Sequence, residues 1–145
     1  MRRVLKEKHT SVEERILKEF RNVAVVGLST NPERPSYGIA SYLAEQGYNI
    51  IPVNPNARKI MGRKSYPELS SIPEKVEVVQ VFRRSEDVMP IVEEAIEIRA
   101  KAVWMQEGVV NEEAAARARG AGLLVVMDKC MLEEHRRLIQ GQIIR

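Results

Sequence analysis

The chain has 145 residues, a formal net charge of +3, one cysteine and 44% apolar residues. That length fits one domain, 1–145, large enough for a real core. One cysteine excludes an internal disulfide framework and fits a reducing, cytoplasmic compartment, and the absence of a basic run interleaved with aromatics excludes a nucleic-acid signature. The charged start lacks the apolar stretch of a signal peptide, and no apolar run is long enough to span a membrane.

Residues up to about Lys8 read as a loose end. Ser11 caps a first helix, with Glu14 three residues later completing a capping box. Val12, Ile16, Leu17 and Phe20 give it one apolar stripe, suited to packing against a sheet edge. Val23-Ala-Val-Val26 is an unbroken run of small and β-branched residues, as in a parallel strand covered on both faces. Gly27 ends it where the backbone turns sharply or a ligand comes close. A polar loop carries Ser29, Thr30, Asn31 and Arg34. Ser36 then reads as the N-cap of a helix bearing Ile39, Ala40, Leu43 and Ala44, with Pro35 discouraging an earlier start. The unpaired amides of Tyr37 and Gly38 would then face the loop. An anion site follows by construction, equally an ordinary capped connection; the loop's length and Arg34 favour the ligand. Neither G-x-G-x-x-G nor G-x-x-x-x-G-K-[ST] is present.

Gly47 ends that helix, and 48–53 is a second strand. Residues 59–66 read as a short extended piece with a glycine turn. A third strand spans 76–82, and Ser85 caps a helix whose apolar positions include Val88, Ile91, Val92, Ala95 and Ile96. A fourth strand is 102–105. Asn111 caps an Ala-rich helix through Arg119, stopped by Gly120 and Gly122. A fifth strand is 123–127, and 130–140 is a closing helix. Alternating β and α elements define a doubly wound, Rossmann-like α/β fold. Its five-stranded parallel sheet has helices on both faces, plus the N-terminal helix.

In such a sheet a ligand sits at the carboxyl ends of the strands. Those ends supply Gly27 to Tyr37, then Asn54 and Pro55, Arg83 and Arg84, Gln106 to Gly108, and Asp128 to Cys130. Arg34, Arg83, Arg84 and Lys129 concentrate positive charge there, with Lys59 further along. Such cations suit several phosphates; Arg84 is assigned instead to ion pairs with Glu86 and Asp87. Asn54 stands where an NAD site usually has an acid, which argues against NAD and leaves NADP open. No His, Cys and carboxylate cluster has metal-ligand spacing.

Val26-Gly-Leu-Ser-Thr-Asn-Pro-Glu-Arg-Pro-Ser-Tyr-Gly38, Val53-Asn-Pro-Asn56, Val81-Phe-Arg83, Gln106-Glu-Gly108 and Asp128-Lys-Cys130 together resemble the small bacterial and archaeal CoA-binding proteins. These are similar to the CoA-binding domain of the succinyl-CoA synthetase alpha subunit. The resemblance implies coenzyme A across the carboxyl edge. Gly27, Leu28 and Ser29 would lie against it, and Arg34, Ser36, Tyr37 and Gly38 would face phosphates. Val53, Asn54, Pro55 and Lys59 would follow the adenosine end. Phe82 and Arg83 would border adenine and ribose phosphate, and Gln106 with Gly108 the thiol-bearing arm. Cys130 becomes a candidate contact for the ligand thiol, with Lys129 and the closing helix favouring its thiolate. His9 and His135 lack the glycine-rich setting of the synthetase's phosphorylated histidine, so that reaction does not transfer. The expectation is a CoA or acyl-CoA carrier, sensor or regulator rather than an enzyme, with a homodimer possible. Its rivals are an NADP-dependent reductase or acyl-CoA enzyme, and a protein-interaction module.

Overall fold

The computed structural model describes residues 10–141; the N-terminal end, including His9, lies outside them. Helix α1 (Val12–Glu19) leads into strand β1 (Asn22–Val26), α2 (Pro35–Glu45) and β2 (Asn49–Val53). A hairpin of β3 (Lys59–Ile60) and β4 (Arg63–Lys64) and a 3-10 turn precede β5 (Val78–Val81). Then come α3 (Val88–Glu97), β6 (Ala102–Met105), α4 (Glu112–Gly120), β7 (Leu124–Val126) and α5 (Met131–His135). The last helix continues as a π-turn over Arg136–Gln140. No helix among the described residues is long and apolar enough to cross a membrane.

The five expected strands form one parallel sheet in the order β2–β1–β5–β6–β7. Alternation sorts its side chains. Val23, Val25, Ile50, Val78 and Trp104 face a layer made by α1, α2 and α5, which contributes Ile16, Leu17, Leu43 and Met131. Ala24, Val26, Val79, Val81, Val103 and Met105 face α3 and α4, which contribute Val88, Val92, Ala114 and Ala118. Both layers are close to fully buried, as the uninterrupted apolar strands require.

Ser11 caps α1 as expected, its hydroxyl accepting from Glu14 N–H at 3.0 Å, and Asn111 caps α4, accepting from Ala114 N–H at 2.9 Å. Two other expected caps fail. Helix α2 starts two residues earlier, with Arg34 at the N-cap and Pro35 in the first helical position, where a missing N–H costs nothing. The Ser36 hydroxyl is drawn off to accept from Ser29 N–H at 3.0 Å. Ser85 opens a 3-10 turn rather than a helix, and its hydroxyl accepts from Val110 N–H at 2.9 Å. Val12 of the expected α1 stripe is 38% exposed; Ile16 and Leu17 do the packing. The glycine turn over 59–66 is a two-residue hairpin, with Met61 and Gly62 at φ 57° and 71°, the signs a type I′ turn requires.

Candidate functional site

Strand register builds the rim. Val53, Val26, Val81 and Met105 lie side by side across β2, β1, β5 and β6. The residues that follow them, Asn54, Gly27, Phe82 and Gln106, form the next row at the carboxyl edge. The chain leaves β1 toward β2 on one side but re-enters at β5 on the other, so the connections diverge between β1 and β5. A crevice of about 780 Å³ opens there, within the range of small-molecule sites.

Gly27 forms its floor. Its φ is +91°, and a Cβ there would lie 2.2 Å from the Phe82 carbonyl oxygen. The close approach expected at this glycine is therefore made by the neighbouring strand, tied through Gly27 N–H to Val53 O and Phe82 N–H to Val26 O. One wall is the β1–α2 loop, ordered by its own short side chains. Ser29 Oγ accepts from Asn31 N–H, and Asn31 Oδ1 accepts from Glu33 N–H, each at 3.0 Å. These turns set Arg34 on the crevice wall.

The anion site of the helix start is smaller than expected. Tyr37 N–H and Gly38 N–H both donate to Arg34 O, at 3.1 and 3.4 Å. Pro35 has no N–H, which leaves Ser36 N–H as the amide of that turn without a partner among the described residues. Positive charge at the crevice comes instead from side chains. Arg34 and Arg83 line it and are exposed, and their guanidinium groups make no hydrogen bond or ion pair among the described residues. Arg84 also lines it but is held by Asp87 at 3.0 Å and Glu86 at 3.6 Å, as expected from sequence. Lys129 is turned away to α1, where Glu13 accepts from its Nζ at 2.7 Å. That bond to Glu13 holds the ammonium above the usual lysine range.

Of the sequence candidates, Gly27, Ser29, Arg34, Ser36, Phe82, Arg83, Gln106 and Cys130 line the one crevice. Others do not. Leu28 and Val53 are core side chains, 0% and 4% exposed, because one step along a strand end reverses the face. Tyr37 packs against the α1, α2 and α5 layer, and Gly38 faces solvent on α2. The Asn54 amide is engaged within the scaffold, donating to Leu28 O and accepting from Asn56 N–H. Pro55 and Lys59 are exposed beyond the crevice toward the hairpin. Gly108, at φ 88°, serves a turn closed by its N–H to Asp128 Oδ1 at 2.7 Å. Ile39 and Val109 line the crevice and were not anticipated as site residues; Ile39 occupies an apolar helical position that reads as core.

A buried amide pair lies behind the rim. Gln80, 0% exposed in the central strand β5, donates through Nε2 to Gln106 Oε1 at 3.0 Å. The same oxygen accepts from Met131 N–H at 2.9 Å. Gln80 Oε1 has no partner among the described residues. His135 is 4% exposed and shares a 2.9 Å hydrogen bond between Nδ1 and the Tyr42 hydroxyl. Burial, aided by the Arg21 charge, pushes its pKa down. It does not line the crevice.

A doubly wound sheet with a cationic crevice at its switch point defines a class of nucleotide-type ligand domains. The match to known proteins is narrower: residues 21–136 fit the family described as CoA binding domain, and the chain belongs to that family. YneT of Bacillus subtilis (strain 168) is 40% identical over 120 residues, 83% of this chain and 89% of that one. A solved structure from Pyrococcus horikoshii OT3 is 42% identical, with a TM-score of 0.85 over 88% of this chain and 89% of that one. The Archaeoglobus fulgidus protein named acetate–CoA ligase [ADP-forming] II is 30% identical over 95 residues, 64% of this chain, but those residues are 14% of its own length.

Proposed function

We propose that this protein binds coenzyme A, free or acylated, across the carboxyl edge of the sheet, and acts as a non-catalytic carrier, sensor or regulator. The observation that carries the reading is the pair of guanidinium groups without partners among the described residues, Arg34 and Arg83, on one crevice in a chain of the CoA binding domain family. Forked guanidinium donors match the spread charge of a pyrophosphate better than a lysine would. Gly27, Ser29 and the free Ser36 N–H bring small groups and one amide to the same place. Phe82, half-buried on the rim, is the surface offered to the adenine ring. The adenosine end then runs past Asn54 and Pro55 toward Lys59. The ligase name of the Archaeoglobus relative supports CoA as the ligand class.

The reading is non-catalytic because the acids lining the crevice are poorly suited to chemistry. Asp87 is bound by Arg84, and Glu107 is exposed on a turn. Calorimetric titration of ligand-free protein with CoA, dephospho-CoA, NADP and NAD tests the reading. CoA is expected to bind most tightly, and less tightly without its 3′-phosphate. NADP binding in the absence of CoA binding would replace the ligand while leaving the fold in place.

A further inference from the structure

The crevice has two chemically different ends. Arg34 follows β1 and Arg83 follows β5, whereas Gln106 follows β6 and Cys130 follows β7. Three strand intervals separate β1 from β7, about 14 Å at the usual spacing. An extended pantetheine arm is long enough to cross that distance from a pyrophosphate held by the arginines.

Two observations mark the far end as a place for a ligand. Gln106 is 4% exposed and lines the crevice, yet its Nε2 has no partner among the described residues. Its orientation is fixed, because Met131 N–H can only donate and so faces Oε1, which also receives Gln80 Nε2. An amide N–H group is therefore left as an open donor, suited to a carbonyl of the arm. Gln80 enforces this while leaving its own Oε1 unpaired among the described residues, an unfavourable arrangement for a buried acceptor. Next to Met131 stands Cys130, part-exposed on the crevice, whose thiol makes no hydrogen bond among the described residues.

Resting on the CoA reading, we propose that Cys130 is a site of covalent capture for coenzyme A in its disulfide form. The Cys130 thiolate attacks one sulfur of CoA disulfide. The S–S bond of the disulfide breaks, a Cys130–S–S–CoA bond forms, and the second CoA leaves as a thiolate that takes up the proton Cys130 has lost. CoA disulfide is the oxidant, and a free thiol reverses the step. The crevice thus reports the redox state of the CoA pool by holding the ligand covalently when that pool is oxidised.

Because Cys130 is the single cysteine of the chain, intact mass under non-reducing conditions reads the event without ambiguity of position. The reduced protein is incubated with CoA disulfide or with glutathione disulfide at equal concentration, and binding of reduced CoA is measured in parallel by calorimetry. The CoA adduct is expected to form at least ~10-fold faster than the glutathione adduct, since binding places the sulfurs together. Arg34→Ala is expected to remove that advantage. Equal rates for the two disulfides would overturn the proposal, showing only an accessible thiol. Tight CoA binding with no adduct would overturn it while leaving the CoA reading intact. Absence of both binding and adduct would overturn the two together.

Discussion

Arg34 occupies the N-cap of α2 but does no capping through its side chain, which is free for a ligand. Arg34→Ala is expected to weaken CoA binding by about tenfold or more, the worth of a charge-assisted hydrogen bond of ~1.5–3 kcal/mol. Its melting temperature should stay near that of the parent, because an exposed, unpaired side chain leaves nothing buried behind. Unchanged affinity in a titration would remove Arg34 from the site. Gly27→Ala should act in the opposite way. The new Cβ meets the Phe82 carbonyl at 2.2 Å with φ at +91°, so the variant should lose at least ~2 kcal/mol of stability in urea unfolding. A variant as stable as the parent would show that β1 and β5 are not so closely joined at the rim.

At the scale of elements, helix starts divide into those readable from local sequence and those that are not. Ser11 and Asn111 cap the turns that follow them, a bond between residues three apart. Ser36 and Ser85 have the same local signature, but their hydroxyls find Ser29 N–H and Val110 N–H across loops that sequence does not position. The Asn111 side chain both caps α4 and donates to Ser85 O at 2.8 Å, joining the loops after β5 and β6. Asn111→Ala should therefore cost about 1–2 kcal/mol. It should also slacken the loop that carries Arg83, seen as faster amide exchange around 83–87. Exchange unaltered there would reduce Asn111 to a simple cap. The strands were legible because each is a short apolar run bounded by polar or glycine residues. The rim was legible because topology names the residues after each strand. Leu28 and Val53, read as rim residues, have core side chains because a single residue separates rim from core.

Across the whole molecule, the histidine expected on a helix face turns out to join elements of one helical layer. His135 packs edge-on against Tyr42 and Tyr48, and the Arg21 and Arg136 guanidinium groups lie over those two rings. Its neighbours Glu133, Glu134, Arg136 and Arg137 conceal this in the sequence, since only the helical spacing back to the buried Met131 marks the inward face. Its folded pKa is depressed by burial and then by Arg21, so the unfolded chain takes up a proton more readily. Stability from this site is full above the unfolded value of about 6.5 and is lost as pH falls through the folded value. The melting temperature should fall over that window, and His135→Gln should flatten the fall. The same pH slope in both proteins would exclude His135 as its source.

A crystal structure of the protein with CoA tests most directly where the ligand lies on this sheet. The pyrophosphate is expected between the Arg34 and Arg83 guanidinium groups, with the arm running past Gln106 Nε2 to Cys130. CoA seated elsewhere, with Arg34 and Arg83 still in solvent, would contradict this placement.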